Sequence, residues 1–128
     1  MTMAAILIVE DSPDNMKLFR TLLELKGHAV TGLPGGDDLF STLEAGTPDL
    51  ILMDIQMPGK DGFALLEELK GSAHRGLPVV ALTAHAMAGD RDRALAAGFD
   101  GYITKPIDIR QFPQQVADAL EGNFPRDA

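Results

Sequence analysis

The chain lacks cysteine, and its apolar runs are short. The absence of cysteine excludes disulfides, thiolate metal ligands and a catalytic thiol. No apolar stretch approaches the ~20 residues that a membrane-spanning helix needs. The N-terminus, Met1 to Ala5, has no basic segment and its apolar run soon meets acidic residues, so it does not resemble a signal peptide. We therefore expect a cytoplasmic protein without membrane insertion.

Basic residues are also scarce, with 11 Lys and Arg against 19 Asp and Glu, which gives a formal net charge of -8. This balance argues against nucleic acid or an anionic membrane as a direct ligand. A length of 128 residues with 45% hydrophobic residues fits one domain with one core. We expect a single domain over residues 1–128, with its core at about 4–122 and a short frayed tail at 123–128.

Strand and helix patterns alternate along the whole chain, which predicts an α/β fold with a doubly wound parallel sheet. Helix starts are indicated by Ser12 followed by Pro13 and by Asp108 as an N-cap, and Gly27 is a stop signal. The predicted strands lie near residues 5–9, 28–32, 49–53, 78–82 and 101–104. The predicted helices lie near 13–26, 36–45, 62–70, 87–97 and 108–121.

The predicted fourth helix differs from the others in its composition. Around Leu95 it offers mainly alanines to a core, because charged residues fill much of the rest. It would bury little apolar area and should be the least firmly docked helix, which suits an element that shifts. A short solvent-facing helix is the alternative interpretation.

Acidic residues follow two of the apolar strand patterns. Asp54 ends the run Leu50–Met53, and Glu10 with Asp11 follows the run from residue 6 to residue 9. Ligands of open α/β sheets bind at the carboxyl ends of the strands. Three clustered carboxylates repel one another unless a cation lies among them, and oxygen ligands without His or Cys suit Mg²⁺. Alternatively, Asp54 only caps the following turn.

Two further strand patterns end in polar residues at the same predicted edge. The fourth ends in Thr83, which alone is commonplace, and the fifth leads through Tyr102 to Lys105 and Pro106. Lys105 either balances the local negative charge or neutralises an incoming phosphoryl group. A cis peptide bond before Pro106 would fix the direction of the ammonium group.

These motifs together resemble the response-regulator receiver domain. The resemblance covers residues 4–122 and rests on motifs in the same order and spacing as in the family: Glu10-Asp11, Asp54 with Met57-Pro58 and Gly62, Thr83-Ala84, and Tyr102 with Lys105-Pro106. Local stretches look most similar to single-domain regulators of the DivK cell-division type. The resemblance implies a flavodoxin-like (βα)5 fold with strand order 2-1-3-4-5.

The resemblance also implies phosphoryl transfer from a phosphohistidine to Asp54. Lys105 would contact the phosphoryl group, Thr83 would be the switch hydroxyl, and Tyr102 would be the aromatic residue that changes rotamer. Phosphoryl transfer depends on positioning and charge neutralisation, which these residue types supply. The protein would be a phosphoacceptor that assists its own phosphorylation and dephosphorylation rather than an enzyme.

The implied cofactor is Mg²⁺. Its ligands would be Asp11, Asp54 and the backbone carbonyl of Gln56, with Glu10 acting through a water molecule. Gln56 and His85 occupy positions that vary in the family and at which the lifetime of the phosphate is tuned, but His85 could be a plain surface residue and is not assigned a catalytic role.

The implied partners are a histidine kinase or a histidine phosphotransfer protein upstream. Downstream we expect a protein partner on the face of helix 4, strand 5 and helix 5, because no output domain follows in the chain. A second copy of the chain is a further candidate partner.

Three other classes are alternatives. A haloacid-dehalogenase phosphatase needs a second acid two residues beyond its nucleophile, where this chain has Gln56. A flavodoxin-like FMN binder needs a phosphate loop rich in Ser, Thr and Gly, where this chain has Glu10 and Asp11. A receiver domain cut from a hybrid histidine kinase or a multidomain regulator stays open, although the short ends favour a complete single-domain protein.

Overall fold

The computed structural model describes residues 4–57, 61–84 and 88–125. Its sheet has five parallel strands in the order β2-β1-β3-β4-β5. The strands are β1 (Ala5–Val9), β2 (Ala29–Leu33), β3 (Leu50–Asp54), β4 (Val79–Thr83) and β5 (Gly101–Thr104). The predicted flavodoxin-like α/β fold is confirmed, and each strand lies within one residue of its predicted place.

Five helices connect or follow the strands: α1 (Pro13–Glu24), α2 (Leu39–Ala45), α3 (Gly62–Lys70), α4 (Ala88–Ala97) and α5 (Phe112–Leu120). The start predicted for α5 is wrong by four residues. The Asp108 carboxylate accepts hydrogen bonds from the N–H groups of Arg110 and Gln111, so it caps a separate turn before the helix. None of the described helices combines the length and apolar character that crossing a bilayer requires.

The helices cover both faces of the sheet, which divides the core into two layers. Leu7 and Val9 of β1 face the layer that includes α2, α3 and α4. Ile6 and Ile8 face the layer of α1 and α5, in which the rings of two phenylalanines lie 5.3 Å apart. Because the central strands are buried on both faces, polar side chains are confined to the strand ends.

Helix α4 is packed through small and amphipathic contacts. Ala94 is fully buried, and Leu95 packs against the same core layer as α3. The Arg93 guanidinium lies 4.1 Å from the centre of the Phe63 ring on α3, a cation–π contact that the sequence pattern did not reveal. The helix is therefore not simply solvent-facing, and its weak docking stays a prediction.

The C-terminal segment makes two contacts with the rest of the fold. The backbone carbonyl of Pro125 accepts a 2.7 Å hydrogen bond from the N–H of Tyr102, and Phe124 packs against the α1/α5 layer. The predicted tail at 123–128 thus contacts β5 and the α1/α5 layer through residues 124 and 125, and its fraying stays a prediction. Residues 126–128 lie outside the described part of the chain.

Candidate functional site

The acidic residues meet because neighbouring parallel strands end at one edge. In the pairing of β1 with β3, Val9 lies opposite Met53, so the next residues along, Glu10 and Asp54, are brought side by side. Both are buried, with exposed fractions of 2% and 1%. Asp11, the next residue, is exposed to solvent.

Lys105 joins these two carboxylates. Its Nζ lies 3.1 Å from Asp54 Oδ1 and 3.2 Å from Glu10 Oε1. The Lys105 side chain is 14% exposed, so both ion pairs lie largely out of water. Its backbone N–H donates to the Thr83 carbonyl at 2.7 Å, and the peptide bond to Pro106 is cis, as predicted. The two ion pairs place the ammonium group over the carboxylates.

The two oxygens of Asp54 have different surroundings. Oδ1 accepts a hydrogen bond from the Gln56 N–H at 3.1 Å and contacts Lys105. Oδ2 is buried and has no hydrogen-bond partner in the described residues. Turn capping, the alternative role for Asp54, therefore accounts for one oxygen and leaves a buried acceptor atom to be explained. A buried unsatisfied oxygen is costly unless something outside the protein binds it.

Burial dominates the electrostatics of the acids. Burial, offset in part by the Ser12 N–H and reinforced by the charge of Asp54, raises the pKa of Glu10 to about 7 from 4.5. Burial also raises the pKa of Asp54, despite the opposing effect of Lys105. For Lys105, burial alone would lower the pKa, but the two carboxylates outweigh it and raise the pKa. The single positive charge of Lys105 therefore does not offset the cost of burying two carboxylates.

These shifts predict that the metal-free protein loses stability as pH rises. Between pH 4.5, where Glu10 ionises in the unfolded chain, and about 7, the folded state binds more protons than the unfolded state. The free energy of unfolding should therefore fall with rising pH across this window. Urea unfolding in EDTA should show this slope, and Glu10→Gln should flatten it. An unchanged slope in the variant would assign the effect to other groups.

Three carboxylates could hold a metal ion. One oxygen each from Glu10, Asp11 and Asp54 lie within 4.8 Å of one another. If ionised, these three acids and Lys105 sum to a charge of about -2, which a divalent cation neutralises. The all-oxygen donor set and the unpartnered Asp54 Oδ2 fit Mg²⁺.

Thr83 lies at the same edge of the sheet, whereas Tyr102 lies further inside it, opposite Ala81 of β4. Thr83 ends β4, is 2% exposed, and lines a cleft of about 410 Å³. The other described residues of the cleft are Ile55, Gln56, Met57, Asp61, Phe63 and Arg93. The Tyr102 side chain is also 2% exposed, so its ring lies inside the core layer next to α4.

The structure thus brings together Glu10, Asp11, Asp54, Lys105 and Thr83 at one edge. Gln56 follows Asp54 in the same turn, and its role as a carbonyl ligand stays a prediction. Pro58 and His85 lie outside the described residues.

Two contacts of the site were missed by sequence reasoning. The Ser12 N–H donates to Glu10 Oε2 at 3.1 Å, whereas the sequence indicated only that Ser12 marks the start of a helix. Almost every residue has a backbone N–H, so the residue types do not indicate which of these groups will bond to Glu10. Arg93 lines the cleft, but the sequence indicated only that it belongs to a charged helix. The spacing of residues along one helix does not show which residues of a neighbouring helix they contact.

Known proteins are similar to this chain in sequence, and solved structures are similar to it in fold. The family model described as the response regulator receiver domain matches residues 6–117. DivK, a polar-differentiation response regulator of Brucella ovis, is 39% identical over 91% of this chain and 95% of its own length. The sensor protein GacS of Pseudomonas syringae pv. syringae is 44% identical over 87% of this chain, which spans only 13% of GacS.

A solved structure agrees with these relatives. The signal receiver domain of a signal transduction histidine kinase from Syntrophus aciditrophicus has a TM-score of 0.82 and 37% identity, over 93% of this chain and 91% of that one. The family match runs from β1 into α5 and so includes the buried acids and the lysine. The chain therefore belongs to the response-regulator receiver domain family.

Proposed function

We propose that this receiver domain accepts a phosphoryl group on Asp54 from a phosphohistidine, carried by a histidine kinase or a histidine phosphotransfer protein. The observation that carries the proposal is the contact of Lys105 Nζ with Asp54 Oδ1 at 3.1 Å, beside a buried Oδ2 without a hydrogen-bond partner in the described residues. One oxygen of the acid is held in place while the other is available to react. The cytoplasmic location expected from the sequence stays a prediction.

The chemistry follows from this division of roles. An Asp54 oxygen attacks phosphorus, the P–N bond breaks, and the electron pair stays on the imidazole nitrogen of the donor. The product is a mixed anhydride between the carboxylate and the phosphoryl group. Lys105 offsets the negative charge that the phosphoryl oxygens bring to the edge, so positioning and electrostatics are the main contributions of the protein. No separate substrate is turned over.

Mg²⁺ would complete the charge balance. Asp11, Asp54 and the Gln56 carbonyl would hold it directly, and Glu10 would act through a water molecule. When bound, the ion neutralises charge on the phosphoryl oxygens. Glu10 would orient the bound water molecule rather than bind the ion directly, because both of its oxygens already have protein partners. Oε1 contacts Lys105 Nζ, and Oε2 accepts a hydrogen bond from the Ser12 N–H.

Direct labelling tests the proposal. Acetyl phosphate or a phosphorylated kinase should transfer its phosphoryl group to the purified protein, and EDTA should block transfer. Peptide mapping of the labelled protein should place the group on Asp54. A label that maps to another residue, or that forms equally well in EDTA, would contradict the proposed site.

Metal binding gives a second expected result. Because Mg²⁺ relieves repulsion among the buried acids, millimolar Mg²⁺ should raise the melting temperature by binding the folded state. Asp11→Asn should remove most of that rise. Asp37→Asn, a change at an exposed acid outside the cluster, is the matched control and should keep it. Persistence of the rise in Asp11→Asn would exclude Asp11 as a direct ligand.

A single-domain regulator is the form we favour, with residues 1–128 as one domain. The near-complete mutual coverage with DivK supports this form. The match to GacS supports the alternative, a receiver domain of a hybrid kinase, to which the same phosphoryl chemistry applies.

The phosphoryl signal should leave through α4, β5 and α5, toward a downstream protein or a second copy of the chain. Thr83 would move toward the phosphoryl group, and Tyr102 would respond by repacking. Since the Tyr102 ring is already buried in this structure, the two states would differ in its packing against α4 rather than in simple exposure.

Addition of beryllofluoride with Mg²⁺ should shift amide signals across residues 88–110. Shifts confined to the Asp54 edge would contradict this route, and Tyr102→Ala should weaken the distant shifts while leaving labelling intact.

A further inference from the structure

The outer edge of β5 is in contact with the end of the same chain. β5 is the last strand of the sheet and pairs with β4 on one side. On its other side, the Tyr102 N–H donates to the Pro125 carbonyl at 2.7 Å. A sheet edge with unpaired backbone groups can pair with another chain. Because the tail covers the Tyr102 N–H, another chain could bond to that group only after the tail is displaced.

Gly101 provides the space that the tail occupies. A Cβ atom at residue 101 would lie 2.5 Å from the Pro125 carbonyl oxygen and 3.0 Å from Phe124 Cβ. The first of these is a backbone atom, so it could not move away without displacing the tail. The absent side chain of Gly101 thus permits the close approach of residues 124 and 125 to the strand.

The tail also makes an apolar contact. Phe124 is half-buried and packs against the core layer that contains Ile103 of β5 and Phe112 and Val116 of α5. Its neighbour Pro125 offers a carbonyl acceptor but has no N–H to donate, so the tail does not present a complete new strand edge. An aromatic side chain and the next carbonyl are therefore the two recognition elements.

We propose that the edge of β5 is a docking site for an extended segment that carries an aromatic residue followed by a main-chain carbonyl acceptor. Residues 124 and 125 occupy this site in cis. The aromatic side chain enters the space beside Gly101, and the carbonyl accepts from the Tyr102 N–H. A partner protein with such a segment would bind through the same aromatic and main-chain contacts. It would first have to displace the tail, which benefits from the high effective concentration of an attached segment.

Removal of the tail tests the cis contact. A chain that ends at Gly122 should show exchange of the Tyr102 amide hydrogen faster by about tenfold, the effect expected for loss of one hydrogen bond. The amide of Leu52, in the buried β3, is the internal reference for global stability. Equal protection of Tyr102 in the shortened and full chains would overturn the proposal, as would equal acceleration at Leu52.

Two variants of the full-length chain test the same contact between the tail and β5 if the shortened chain folds poorly. Gly101→Ala and Phe124→Ala should each accelerate exchange at Tyr102. Gly46→Ala is the matched control, because a Cβ there meets nothing within 4 Å, and it should leave the exchange rate unchanged. If neither variant changes the Tyr102 rate beyond that control, the tail does not protect the edge.

A peptide added in trans tests the docking site itself. A synthetic peptide of residues 121–128 should bind the shortened chain weakly, shift the Tyr102 amide signal and restore its protection. The same peptide with Ala in place of Phe124 should not. Equal binding of both peptides, or of neither, would overturn the proposed recognition. Labelling of Asp54 in the shortened chain reports separately on phosphoryl transfer, which does not depend on this site.

Discussion

Asp54→Asn should abolish phosphoryl labelling by acetyl phosphate or by a phosphorylated kinase. The amide has the shape of the carboxylate but lacks the anionic oxygen that attacks phosphorus. The effect should be complete, because both oxygens of the buried Glu10 have protein partners, whereas Asp54 Oδ2 has none in the described residues. Mass spectrometry of the intact protein, with and without Mg²⁺, measures the result.

The variant should stay folded, which separates chemistry from structure. The substitution Asp54→Asn would remove one of the two partners of Lys105 but would also remove a buried charge whose pKa burial raises. We therefore expect the melting temperature of the metal-free variant to be at least that of the wild type. Asp37→Asn serves as the control and should label normally. If Asp54→Asn labels as well as wild type, the acceptor lies elsewhere.

The fold was largely predictable because its signals are local. Continuous apolar runs such as residues 50–53 and 79–82 identify buried parallel strands, and Ser12 with Pro13 marks the start of α1. The late start of α5 was not predictable in the same way. Asp108 is a good cap by residue type, but residue type does not say whether it caps a helix or a single turn.

The candidate site was predictable as a set of positions, since parallel strands deliver their last residues to one edge. Its asymmetry was not. That Asp54 Oδ1 is held while Oδ2 has no partner in the described residues depends on where Lys105 and the Gln56 N–H point. The tail on β5 escaped detection for a related reason, because its main contact joins a backbone N–H to a backbone carbonyl.

Gly62→Ala should destabilise the protein and also impair the site. A Cβ atom at residue 62 would lie 2.6 Å from the carbonyl oxygen of Asp54 and 2.8 Å from the Cα of Ile55. Both are backbone atoms at the end of β3, and the Gly62 N–H already donates to the Ile55 carbonyl at 2.9 Å. The new methyl group must therefore push α3 away from β3 or move the peptide that carries Asp54.

The cost of the steric overlap should exceed the gain from the higher helix propensity of alanine. Alanine is better than glycine within a helix by up to about 1 kcal/mol, less at the first helical residue. Overpacking against a fixed backbone costs roughly 1–3 kcal/mol, so a net loss of about 1–2 kcal/mol in the free energy of unfolding is expected. Displacement of Asp54 relative to Lys105 should also slow phosphoryl labelling. Gly76→Ala is the matched control, because a Cβ there meets nothing within 4 Å. Urea unfolding and labelling rates measure both effects, and a Gly62→Ala protein as stable and as active as the control would show that the close approach of α3 to Asp54 is dispensable.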